Sequence, residues 1–220
     1  MARPQPILNR DDPDKAPLSG NIKVTREDWL NLARDVLVTE GVGELKILSL
    51  SGRLGVSRSS FYWYFENRAD LLGALLDEWE ARNTRLILSH CEKAARNITE
   101  AVCNFFRCFV DPDAFDQGLD FAVREWSRRD PSLRDRVDRA DAARLAAVAA
   151  MFREHGYPAP DAEARARILY FMQLGYHALD MREPMQVRLI GIFETLQGFT
   201  GQTPDPDVIA AFSRFALSKE

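Results

Sequence analysis

Apolar residues recur at intervals of three and four along most of this chain, and no stretch alternates apolar with polar residues as a half-buried strand would. The pattern therefore predicts an all-α fold. Trp29, Ala33, Val36 and Leu37 mark the inner stripe of a first helix from Arg26 to Glu40, opened by a Thr25–Asp28 capping box and stopped at Gly41. Leu50 and Leu54 lie four apart, as do Phe61 and Phe65, so each pair shares one face of a short helix. Gly55 falls between the pairs, where a helix end favours a residue that accepts left-handed backbone. Ser57 follows and can cap the second helix. Two short helices joined by so tight a turn match a helix-turn-helix, whose second helix enters a DNA major groove.

Asn67 and Asp70 announce a further helix, and Leu72, Leu75, Leu76, Trp79, Asn83 and Leu86 keep its period to about Cys91. Asn97 with Glu100, and the pairs Asp130-Pro131, Pro160-Asp161, Glu183-Pro184 and Asp205-Pro206, signal later helix starts. They divide the remainder into helices over 97–110, 114–129, 131–155, 162–181, 184–198 and 206–218. Pro4, Pro6, Pro13 and Pro17 deny residues 1–20 regular structure, and the charges there balance. The expected organisation is a disordered tail over 1–20, a head over 21–68, and a helical body over 69–220 hung on the long helix.

A formal net charge of −4 argues against a protein that coats nucleic acid generally. Between Lys46 and Arg68, however, four basic residues (Lys46, Arg53, Arg58 and Arg68) stand against Glu66 alone. Once Phe61 and Phe65 turn inward, Arg58, Ser59, Ser60, Tyr62, Trp63 and Tyr64 are left outward. Guanidinium and hydroxyl groups on that face suit base edges and phosphates. Arg68, beside the free N–H groups that open the long helix, suits a phosphate. Cys91, Cys103 and Cys108 lack metal-ligand spacing and suit a reducing cytoplasm as buried helical residues. No apolar run approaches the ~20 residues that cross a bilayer, and the charged, Pro-rich start does not read as a signal peptide.

The run Gly55-Val56-Ser57-Arg58-Ser59-Ser60-Phe61-Tyr62-Trp63-Tyr64-Phe65, continued by Glu66-Asn67-Arg68-Ala69-Asp70-Leu71-Leu72, resembles the signature of the TetR family of bacterial transcriptional regulators. The Thr25-Arg26-Glu27 opening and the Glu40-Gly41-Val42 close resemble that family's first helix, so the likeness covers about residues 22–80. Ser59 stands where the family usually has Gly, and Tyr64 where it usually has His. Ser51 and Leu54 replace small residues. The resemblance implies a homodimeric, ligand-responsive repressor of a palindromic operator, with no cofactor. It puts Arg58, Ser59, Ser60, Tyr62, Trp63 and Tyr64 in the major groove, and Lys46, Ser57, Tyr64 and Arg68 on phosphates.

For the body, the resemblance implies a pocket for a small, largely apolar effector. The candidate lining is Phe105, Phe109, Phe121, Trp126, Phe152 and Tyr170, with Arg124, Gln173 and His177 as polar groups; most of these aromatic residues also fit a plain core. Two stripes, one of Ile168, Phe171, Met172, Gly175 and Leu179, the other of Leu189, Ile192, Phe193 and Leu196, predict a dimer interface. In the family the corresponding helices form a four-helix bundle across a two-fold axis. Nothing argues for an enzyme: no nucleophile lies beside a base, no glycine loop cradles phosphate, and His90, His155 and His177 are scattered. The alternative is a helical adaptor that presents Tyr62, Trp63 and Tyr64 to another protein. Steep salt dependence of binding would separate DNA contact from it.

Overall fold

A computed structural model describes residues 24–181 and 183–219, all of whose regular elements are helical. The stretch 1–20, for which the sequence predicts no regular structure, lies outside the described residues. In order come α1 (Arg26–Glu40), a 3₁₀ turn (Val42–Glu44), α2 (Ile47–Leu54), α3 (Arg58–Phe61) and α4 (Arg68–Trp79). A π-helical turn, Glu80–Thr84, joins α4 to α5 (Arg85–Cys91). The body continues with α6 (Ile98–Val110), α7 (Gln117–Ser127), α8 (Pro131–Glu154), α9 (Ala159–Ala178), α10 (Met185–Arg188), α11 (Ile192–Thr200) and α12 (Pro206–Leu217).

The caps explain most boundaries. The Thr25 hydroxyl accepts from the Asp28 amide while Asp28 accepts from the Thr25 amide, closing the capping box. Asn67, Asn97, Asp130 and Asp205 each accept from amides of the first turn that follows. Four boundaries differ from expectation. The helix read as 114–129 starts at Gln117, because Asp116 supplies the cap by accepting from the Leu119 amide. The helix read as 162–181 starts at Ala159, with Pro160 tolerated in its first turn, and ends at Ala178. The helix read as 184–198 is two pieces, since Gly191 adopts left-handed backbone at φ 74° between α10 and α11. The long helix after Arg68 keeps its course but admits the π turn, which no apolar period records.

Two apolar cores result. One joins Trp29, Leu37, Leu50, Phe61, Leu71 and Trp79 to Leu119, Val123, Leu133, Val137 and Ala140 of α7 and α8. The other holds Ile87, Phe105, Cys108, Phe152, Leu169, Leu196 and Phe212. The head therefore shares its interior with the near end of the body. Gly118 permits this approach, because a Cβ there would lie 3.0 Å from Val38 Cγ1 of α1.

Candidate nucleic-acid interface and ligand cavities

Gly55 ends α2 in left-handed backbone at φ 66°, and its amide together with that of Val56 returns to the carbonyls of Gly52 and Ser51. That turn aims α3. Phe61 is fully buried, edge-on to Trp29 at 5.3 Å and stacked on Phe65 at 5.3 Å. Arg58, Ser59, Tyr62 and Trp63 consequently face outward, Trp63 with 76% of its surface exposed, and Ser60 is half-buried. The helix is a single turn, shorter than the segment through Phe65 that the apolar spacing predicts. Ser57 holds the N-cap position without an N-cap bond; its hydroxyl lies 2.7 Å from that of Ser59.

Two predicted site residues point inward. The Tyr64 hydroxyl donates to the Val24 carbonyl at 2.8 Å, and the Arg68 guanidinium donates to the carbonyls of Leu45 and Val42 at 2.7 and 2.6 Å. Arg68 thus ties α4 to the turn that precedes α2. Lys46 is exposed and sits 3.1 Å from Glu44. Arg53 makes a two-pronged bond to Glu40. Among the described residues Arg58 has no ion pair. The local basic excess is narrower than a count from Lys46 to Arg68 suggests, because Glu40 and Glu44 lie just upstream of that window.

The predicted pocket residues are dispersed. Phe105 and Phe152 are fully buried in the body core, so they act there as packing. Phe109 and Gln173 border a groove of about 350 Å³ between α6, α9 and α10, with Met172, Val187 and Phe212. Phe121, Trp126 and His177 border a larger cleft of about 880 Å³ whose opposite wall is α1 and the turn after it. His177 also borders two flanking cavities of about 450 and 210 Å³. Burial pushes the His177 imidazole down to about 4, so it is neutral near pH 7; Gln173 Nε2 lies 2.8 Å from its Nε2. Of the two predicted dimer stripes, Ile168, Phe171, Leu179 and Phe193 are exposed. Met172, Gly175, Leu189 and Ile192 are half-covered, and Leu196 is buried in the monomer core.

The description "Bacterial regulatory proteins, tetR family" matches residues 30–75, the stretch that holds the turn at Gly55 and the outward face of α3. Residues 30–75 therefore match the TetR family. Solved structures agree in fold. AmtR of Mycobacterium smegmatis aligns with a TM-score of 0.56 at 20% identity, over 92% of this chain and 97% of its own. GusR of Salmonella enterica aligns at 0.54 and 13%, over 88% and 94%. A Rhodococcus protein described as a TetR-family transcriptional regulator aligns at 0.53 and 16%, over 87% and 98%. Among curated proteins none matches.

Within this fold lies a charged network that sequence reading missed. Arg144, wholly buried on α8, donates to Asp120 Oδ1 at 3.0 Å and to the Thr84 hydroxyl at 2.9 Å, with its guanidinium 5.1 Å from the Trp79 ring. Arg124 donates to Asp120 and doubly to Asp141, and the Tyr170 hydroxyl donates to Asp141. Trp79 Nε1 donates to Asp120 at 2.7 Å. Burial alone would raise the Asp120 carboxyl, but the two guanidinium groups outweigh it and hold it at about 2. Tyr170, expected to meet an effector, engages its hydroxyl here instead, while Arg124 joins the network and also borders the cavity of about 210 Å³. The signal for Arg144 was its register, four residues from both Ala140 and Val148 on the buried stripe.

Proposed function

We propose that this chain is a homodimeric, ligand-responsive transcriptional regulator, acting as a repressor released from a palindromic operator by a small, largely apolar effector. The observation that carries the DNA reading is the division of α3. Phe61 anchors its inner side, while Arg58, Ser59, Tyr62 and Trp63 stand exposed on a face that the core does not use. Arg58, Ser59, Ser60, Tyr62 and Trp63 meet base edges and flanking phosphates, and Lys46 and Ser57 meet the backbone. Tyr64 and Arg68 hold the head in shape. Dimerisation through the exposed residues Ile168, Phe171, Leu179 and Phe193 places two heads about one helical turn of DNA apart, roughly 34–36 Å. An effector releases DNA by binding one spacing of the heads more tightly than the other.

The test is fluorescence anisotropy of labelled duplexes cut from the DNA flanking the gene, across a salt series. Saturable, salt-sensitive binding to one palindromic segment is expected, and Trp63→Ala lowers affinity for that segment. Equal binding to every segment, or none at low salt, would overturn the reading in favour of a protein-binding adaptor.

A further inference from the structure

We propose that the cleft between the head helix α1 and the body helix α7 is a binding site for an uncharged, planar aromatic molecule that carries a hydrogen-bond acceptor. The proposal deepens the effector reading, and its regulatory consequence rests on that reading. The cleft, about 880 Å³, is of a size that small ligands fill. Leu37, Val38 and Val42 of the head form one wall; Phe121, Ala122 and Trp126 of the body form the other. Phe121 borders the cleft with 46% of its surface uncovered, an aromatic ring that the monomer core leaves unused.

The charges around the cleft cancel, which selects against an ion. Glu40 is held by Arg53 and Glu125 lies 3.7 Å from Arg128, while Arg129 and Asp180 contribute one charge of each sign. Two polar side chains border both the cleft and its side cavities: His177, and Gln117, whose Nε2 donates to the His177 carbonyl. His177 is neutral near pH 7 and one ring nitrogen carries a proton, so the His177 and Gln117 side chains both bring N–H donors to the site. A carbonyl or ether oxygen on a flat, apolar frame complements that set. Because one wall is head and the other body, the contact available to such a molecule depends on how far the two stand apart. Occupancy and head position are therefore coupled.

Nile red, an uncharged phenoxazinone with a carbonyl acceptor, is the probe. It is titrated into the full chain and followed by its emission, beside the anionic dye 8-anilinonaphthalene-1-sulfonate. The expected result is saturable Nile red binding, tighter than that of the anion. Ala122→Trp, which fills the cleft, weakens it at least about tenfold. Phe121→Ala, which removes one ring from a position already exposed, weakens it about three- to tenfold and keeps the test sound if the Trp variant misfolds. Val187→Gln, in the groove between α6, α9 and α10, leaves it unchanged. Full affinity in Phe121→Ala and in a folded Ala122→Trp, a loss confined to Val187→Gln, or tighter binding of the anion would overturn the proposal. Cleft-dependent dye binding that leaves DNA affinity untouched would support the site and sink only the effector reading.

Discussion

Arg68→Ala separates two roles for one guanidinium. In the structure it donates to the carbonyls of Leu45 and Val42 at 2.7 and 2.6 Å, closing the turn that delivers α2 to the head. A hydrogen bond from a charged donor contributes about 1.5–3 kcal/mol when shielded. Arg68 is half-buried, and water can reach the vacated carbonyls, so each bond falls below that range at about 1 kcal/mol and the pair together is worth about 2 kcal/mol. For a chain of this length that lowers the melting midpoint by about 4–8 °C. Urea unfolding at pH 7 reads the stability, and anisotropy on the operator duplex across a salt series reads the DNA side. A residue that holds the head in shape leaves the slope of log affinity against log salt unchanged while affinity falls evenly for all sequences. Removing a cation that binds phosphate would instead reduce that slope by about 1. Unchanged stability with a slope reduced by about 1 would refute the structural role and restore Arg68 to the DNA backbone.

Three further outcomes follow from the geometry. Arg144→Met leaves Asp120 buried with fewer partners and should cost about 3 kcal/mol in urea unfolding; a loss below about 1 kcal/mol would mean that the network closes without it. Stability should fall on acidification in two stages. Between pH 6.5 and about 4 the unfolded chain takes a proton that folded His177 refuses, with His90 adding in the same direction, and between 3.8 and about 2 the unfolded chain protonates the carboxyl that folded Asp120 keeps ionised. His177→Gln should shrink the first loss, and a midpoint constant from pH 7 to 4 would contradict the assignment. Gly55→Ala puts a side chain into left-handed backbone and should cost about 1–2 kcal/mol by the same unfolding measurement, with weaker DNA binding; no change in either would show that the turn relaxes freely.

Helix existence was legible wherever a cap and an apolar period agreed, as at Thr25–Asp28, Asn97–Glu100 and Asp205-Pro206. It failed where backbone geometry changed without a change of period. The π turn at Glu80–Thr84 keeps Trp79, Asn83 and Thr84 buried, so the apolar record runs through it unbroken. Gly191 reads as a small packing residue until its positive φ is seen. The head's face was legible because Phe61 and Phe65 account for the inward positions and leave the rest outside. That Tyr64 and Arg68 turn back to main-chain carbonyls was not legible, since those acceptors come from residues 40 and more than 20 positions away. An aromatic residue in a core and one on a cavity wall share the same helical period. Phe105, Phe121 and Phe152 were therefore indistinguishable by sequence, although only Phe121 reaches open space.

The shared interior of head and body bears on anyone who would exchange DNA-binding modules between regulators. A cut after residue 68 follows the chain but slices through the apolar cluster that contains Leu119, Val123, Leu133, Val137 and Ala140. A head moved alone would arrive without the α4 and α7 side chains on which α1 packs, and the body left behind would expose that apolar face to water, an invitation to aggregate. A working chimaera of this protein needs a recipient body whose facing positions on the helices equivalent to α4 and α7 have been rewritten to match the incoming graft.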